Sequence, residues 1–336
     1  MESPAADSGA PAAAPRRPLV ESGESPLTDR PPALPRAAGQ RWRPLLAWAV
    51  LLIGGLLLAA VVAPFGYSAL LELLPAADWP FSRVFNRTAM AIAAVLLFLL
   101  RRPLGWSALP ALFAERTRGR KLLGVVAGFA AALLGVAFAV ATAWILGRLG
   151  PAVAPYSFFE ERTATAFLGG LAVGGIEETV FRGLMLVSLT AAVGFPAAAI
   201  ASSGAYSLVH LLVSDPTLKP EGFSLEDGFA YLVHAVGRQL EPATVLPLSG
   251  IFLCGLVAAF VVRRSGTLYL AIGLHAGWAF AFQVLRHATR PLVEIPGHSY
   301  LATHHYLVGT LWAWAGVIVA GLLALAWVRF ERASKW

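Results

Sequence analysis

Eight apolar runs, most of them long enough to cross a hydrocarbon layer, restrict this chain to a small set of architectures. They fall near 44–64, 86–101, 121–147, 164–190, 194–213, 245–262, 267–285 and 306–328. A helix needs roughly 20 apolar residues to span about 30 Å of hydrocarbon. In lipid no water meets an exposed N–H or C=O, so runs of this length must be helices that satisfy their own backbone. The expected fold class is all-α, a polytopic membrane helix bundle of about eight transmembrane helices. Only 13% of the residues are charged and 57% are hydrophobic, whereas a soluble domain carries about 25% charged residues. The second run is short and the fourth contains two Glu and an Arg, so the count turns on those two.

Residues 1–40 are rich in Ala, Pro, Ser and Arg and hold no aromatic residue, a composition that buries too little apolar surface to offset the cost of ordering. A disordered cytoplasmic tail is expected there, followed by one membrane domain over 41–336. No apolar stretch follows Arg16 and Arg17 before position 44, so the tail is not read as a secretory signal. The net charge of +7 comes from Lys and Arg at the ends of apolar runs, not from a patch interleaved with aromatics. The charge therefore reads as topology, with neither nucleic acid nor nucleotide as partner.

Arg41, Arg43, the Arg101–Lys121 linker, Arg263, Arg264, Arg329, Arg332 and Lys335 fall on one side of an eight-span topology. The acidic 214–244 connection, with Asp215, Glu221, Glu226, Asp227 and Glu241, falls on the other. The positive-inside rule then puts both termini in the cytoplasm, in a plasma or inner membrane. Cys254, the only cysteine, lies within an apolar run, which precludes an intrachain disulfide and disfavours a thiolate nucleophile.

The fourth run reads Gly174-Gly175-Ile176-Glu177-Glu178-Thr179-Val180-Phe181-Arg182-Gly183. Each charge at membrane depth costs about 2.5–3.5 kcal/mol, so ionisable residues there are functional candidates. Glu178 and Arg182 stand i and i+4 on one helix face and can neutralise each other as a buried pair. Glu177 points about 100° away and needs a different partner. Two further runs carry one buried histidine each, His210 and His275. Singly each reads as a hydrogen-bonded bundle residue, but with the Glu pair they form a set on three helices that can converge in a bundle core. A carboxylate with an imidazole can deprotonate a water, and a second imidazole can face the oxyanion that forms.

Other intramembrane hydrolase chemistries fit less well. The chain has no His-Glu-x-x-His for zinc, and neither Gly-x-Gly-Asp nor Tyr-Asp for an aspartyl enzyme. Ser202-Ser203-Gly204 could form a serine site with His275 as base, yet such runs are common at helix contacts in membranes. His298, His304 and His305, near Glu294, match no zinc spacing and read as loop histidines, and Trp312 and Trp314 as an interfacial belt. No metal site and no cofactor are expected.

Glu177-Glu178-x-x-x-Arg182, then Tyr206-x-x-x-His210, then His275 after Arg264-Ser265-Gly266-Thr267-Leu268-Tyr269-Leu270 resemble the motifs of the CPBP family. That family, the CAAX protease and bacteriocin-processing or Abi family, includes Rce1-type proteases, and the resemblance spans roughly 160–285. It implies that Glu177 and His210 activate the attacking water, that Glu178 with Arg182 holds the geometry, and that His275 faces the oxyanion. Two positions depart from the pattern: Tyr206 stands where Phe is usual, and Ala279 where the last motif ends in Asn. An oxyanion donor is worth about 2.7–4 kcal/mol. Gln283 and the Trp278 indole are the candidates to replace it, although both read first as bundle-packing or interfacial residues.

The resulting expectation is a metal-independent, glutamate-dependent intramembrane endopeptidase acting on a membrane-associated polypeptide within the bilayer. The alternatives are a non-catalytic immunity or scaffold protein of the same fold, favoured by Ala279, and a proton-coupled transporter, disfavoured by the lack of internal repeats. One geometric demand remains. His210 falls towards the outer end of its run while Glu177 and His275 fall near mid-membrane, so convergence requires tilt or a shifted boundary.

Overall fold

Each of the eight apolar runs contains a helix in the computed structural model of the chain, which describes residues 42–76, 79–114, 117–152, 156–210, 224–293 and 307–333. The tail 1–40, residues 214–223 of the long connection, and Glu294, His298, His304 and His305 lie outside the described residues. In chain order the helices are α1 (Trp42–Leu73), α2 (Phe81–Leu99), α3 (Arg118–Ile145), α4 (Tyr156–Glu178), α5 (Leu186–Val193), α6 (Phe195–His210), α7 (Leu225–Gln239), α8 (Pro242–Ser265), α9 (Tyr269–Ala288) and α10 (Leu311–Ala333). A π-helical segment, Thr179–Met185, joins α4 to α5.

Among the described residues five helices are long and apolar enough to cross a membrane: α1, α2, α3, Thr244–Ser265 of α8, and α10. The runs at 164–190, 194–213 and 267–285 fall short of that standard, and they are the three that carry the Glu, Arg and His residues. The protein is thus a multi-pass all-α membrane bundle, while the number of spans is not fixed at eight. Large apolar side chains face outward along the helices, among them Leu168, Ile176 and Leu322, each more than 60% exposed, as lipid contact requires. The departure from pure helix is a ribbon in which β1 (Leu149–Pro151) and β2 (Thr289–Pro291) pair antiparallel, Leu149 opposite Pro291. It ties the ends of α3 and α9 together.

The cationic helix ends gather as the charge pattern expects. Arg332 donates to the Arg264 carbonyl, Lys121 lies over the Tyr269 ring, Arg263 stacks 4.1 Å over Phe195, and Tyr269 donates to the Phe113 carbonyl at 3.0 Å. The acidic connection, read as a loop, contains α7. Ser224 caps it by accepting from the Glu226 amide, Glu226 and Asp227 occupy the first turn, and Arg238 the last, each favourable to the helix dipole.

Lipid gives no hydrophobic drive between helices, so they pack through small residues that let backbones touch. The α3–α9 seam is built this way. A Cβ at Gly273 would collide with the Val125 carbonyl, and one at Gly128 with the Leu270 carbonyl. On the other side of α9, a Cβ at Gly174 would lie 3.1 Å from the Ala276 amide and from the Ile272 carbonyl, and 3.4 Å from the His275 Cβ. That contact of α4 with α9 brings the Glu pair to His275.

Candidate active site

Five side chains from four helical segments meet at one place. Glu177 and Glu178 end α4, Arg182 follows in the π-helical segment, His210 is the last residue of α6, and His275 lies on α9. The i, i+4 pair forms with Arg182 Nη1 3.1 Å from Glu178 Oε1, both residues essentially without exposed surface. The same oxygen lies 2.9 Å from His275 Nδ1. An oxygen paired with a guanidinium acts as acceptor, so the imidazole N–H is the donor. This assigns His275 the Nδ1–H tautomer and turns its Nε2 towards Glu177 at 3.6 Å.

His210 does reach Glu177. Its Nε2 is 3.3 Å from Glu177 Oε2, and its Nδ1 is 2.8 Å from the Tyr206 carbonyl. A carbonyl only accepts, so Nδ1 holds the proton here too. The helical register supplies this bond, since 206 and 210 stand i and i+4. With both imidazoles neutral, Glu177 Oε2 is faced by two ring nitrogens whose protons lie on their far sides, and it has no hydrogen-bond partner among the described residues. Three acceptors thus converge on one small space. Glu177 and His210 keep 27% and 30% of their side-chain surface exposed, whereas His275 keeps 7%; Glu177 Oε2 itself is enclosed.

Tyr206, noted in the sequence only as a mild departure, occupies the middle of the cluster. Its ring centroid is 4.3 Å from that of His210 and 5.8 Å, edge-on, from that of His275. The Arg182 guanidinium carbon lies 4.4 Å over it and Phe181 meets it edge-on at 5.3 Å. The π-helical segment that carries Arg182 had no recognisable signal in the sequence, although such segments recur at functional sites.

The candidates for the missing amide do not sit in this space. Trp278, three residues from His275, lines a small cavity between α3 and α10 with Val136, Phe282, Trp312 and Val317, and its indole N–H has no hydrogen-bond partner among the described residues. Gln283 is eight residues beyond His275, about 12 Å along the helix axis. Ala279, one turn from His275 on the same face, offers only a methyl group. The serine alternative also loses its geometry. Ser202 and Ser203 are fully buried, and Ser203 sits against α8 where a Cβ at Gly255 would lie 3.0 Å from its Oγ and 3.1 Å from Arg182 Nη2. Among the described residues no group of three or more His, Cys, Asp or Glu is arranged to hold a metal ion.

Residues 157–281 match the model of the Rce1-like family, described as type II CAAX prenyl endopeptidase Rce1-like. That range holds all five residues and bears out the resemblance read from the motifs. No curated protein and no solved structure matches the chain.

Proposed function

Starting from a multi-pass membrane protein whose residues 157–281 match the Rce1-like endopeptidase family model, we propose that it is a glutamate-dependent intramembrane endopeptidase. The observation that carries the reading is the meeting of Glu177 Oε2 with the two imidazole Nε2 atoms at 3.3 and 3.6 Å. Three acceptors around one space suit a water, which donates its two hydrogens to them. Glu177, aided by His210, takes one proton as the water oxygen attacks the scissile carbonyl carbon. The C=O pair moves onto oxygen, and the proton held on Glu177 passes to the leaving nitrogen as the C–N bond breaks. Glu178 and Arg182 act through His275: they fix its tautomer and ring plane, leaving its lone pair at the reacting face. No step requires a metal or nucleotide.

The substrate class is a membrane-associated polypeptide. The family description favours a chain with a prenylated carboxyl terminus, ahead of a leader peptide or a sorting tail. The clustering of Arg101–Lys121, Arg263, Arg264 and Arg332 supports cytoplasmic termini in a plasma or inner membrane.

The test is cleavage, in reconstituted vesicles with chelator present, of a panel of tagged peptides: farnesylated at a carboxy-terminal Cys-a-a-X, unmodified, and leader-type. We expect the farnesylated member to be cut and cutting to fall at least 10²-fold in His210→Ala. Cleavage unchanged in that variant, or abolished by chelator, contradicts the mechanism. Ala279 supports the non-catalytic reading, which gains if no peptide is cut and Glu177→Gln loses membrane expression.

A further inference from the structure

The reaction proposed above needs a hydrogen-bond donor for the oxyanion, and counting protons around the site shows which group is left to provide one. His275 commits its N–H to Glu178 at 2.9 Å, and His210 commits its N–H to the Tyr206 carbonyl at 2.8 Å. In the neutral imidazoles both Nε2 atoms then face the reacting space as acceptors, as does Glu177. Residue 279, one turn from His275, is alanine. Arg182 is buried behind the cluster and paired with Glu178. A site of acceptors alone activates a water but leaves the negative charge that then forms on the substrate oxygen unsupported.

We infer that the hydroxyl of Tyr206 is the oxyanion donor, a catalytic residue of this enzyme that makes up for the absence of a donor at Ala279. Among the described residues its ring is the one aromatic surface in contact with both imidazoles, at 4.3 and 5.8 Å. The Arg182 cation 4.4 Å over the ring face holds that ring and favours a phenol O–H as donor. Tyr206 is 6% exposed. No hydrogen bond to its hydroxyl is formed among the described residues, so the ring that touches both imidazoles carries a donor without an acceptor. A phenylalanine would preserve every ring contact, so the hydroxyl is the part that packing does not explain.

The inference rests on the endopeptidase reading, and the experiment separates the two. Tyr206→Phe and the double variant Tyr206→Phe with Ala279→Asn are compared with wild type in vesicles. The substrate is the farnesylated peptide, and binding of a phosphinic peptide carrying a tetrahedral anionic centre is measured alongside it. Tyr206→Phe should lower kcat about 10²–10³-fold with KM within about threefold, and weaken the phosphinic peptide by a similar factor. Thermal stability in detergent should stay unchanged. Ala279→Asn should restore at least tenfold of the lost kcat, a rescue that a packing role for Tyr206 does not produce. A Tyr206→Phe enzyme with wild-type kcat, or one changed in KM alone, overturns the inference while leaving the endopeptidase reading standing. A wild type that neither cuts the peptide nor binds the phosphinic analogue overturns both.

Discussion

In the inner half of the polar cluster Glu178 and Arg182 are 1% and 0% exposed, whereas in the outer half the Glu177 and His210 side chains keep 27% and 30% of their surface. The two halves share one helix turn, and adjacent residues supply their carboxylates. The inner carboxylate is tied to a guanidinium at 3.1 Å and an imidazole at 2.9 Å; the outer one meets nitrogens only at 3.3 and 3.6 Å. A helix advances about 100° per residue, and here that turn separates a carboxylate held by two close partners from one with only longer contacts; in the proposed mechanism the first holds shape and the second moves a proton. The comparison predicts that mutations in the inner half cost stability and those in the outer half cost rate.

Arg182→Leu should have the largest effect. It leaves Glu178 buried without its cation and with only the His275 N–H at 2.9 Å, so destabilisation of about 3–5 kcal/mol is expected, read as lost membrane expression or a collapsed Tm in detergent. A variant of near wild-type stability would break the comparison at its inner end. His210→Ala should do the reverse. We expect kcat about 10²–10³-fold lower, or roughly 2.7–4 kcal/mol of barrier, with Tm unchanged, and a fall in Tm comparable to that of Arg182→Leu would erase the distinction.

A glycine pair sharpens the picture at smaller scale. Gly174 is pressed against α9, while a Cβ at Gly175 meets nothing within 4 Å. Gly174→Ala should cost about 1–3 kcal/mol and lower activity by shifting His275 relative to the Glu pair. Gly175→Ala should be neutral or stabilise by up to about 1 kcal/mol. Equal Tm values for the two would show that the close approach does not position the site. The smallest effect belongs to a contact remote from the chemistry. Trp48 donates to the Ser188 hydroxyl at 2.9 Å between α1 and α5, so Ser188→Ala should cost about 0.6–1 kcal/mol with kcat unaltered.

Much of this division was legible in the sequence. Glu178 and Arg182 had to share a face by spacing, Glu177 had to leave it, and eight apolar runs required helices. What was missed has identifiable physical causes. The π-helical segment Thr179–Met185 changes the register by tertiary packing, and no residue type announces it. The reach of His210 to Glu177 depends on how α6 lies against its neighbours, which spacing along one helix does not encode. Trp278 stands only three residues from His275, but the seam through Gly273 turns that side of α9 to α3 and α10. For α7 the signal was present, in a Ser224 cap followed by Glu226 and Asp227, and the acidic composition masked it. The tyrosine at 206 was visible as a residue, and its place between two imidazoles was not.

The central claim is that Glu177 deprotonates the attacking water while the fold stands without its charge. The most direct measurement is the cleavage rate of the farnesylated peptide in vesicles for wild type and Glu177→Gln, with Tm taken on the same preparations. The account predicts a rate about 10³-fold lower or more at equal Tm, since amide for carboxylate keeps the shape and removes the base. A Glu177→Gln protein that cuts at the wild-type rate would contradict it, as would one that has lost its fold along with its activity.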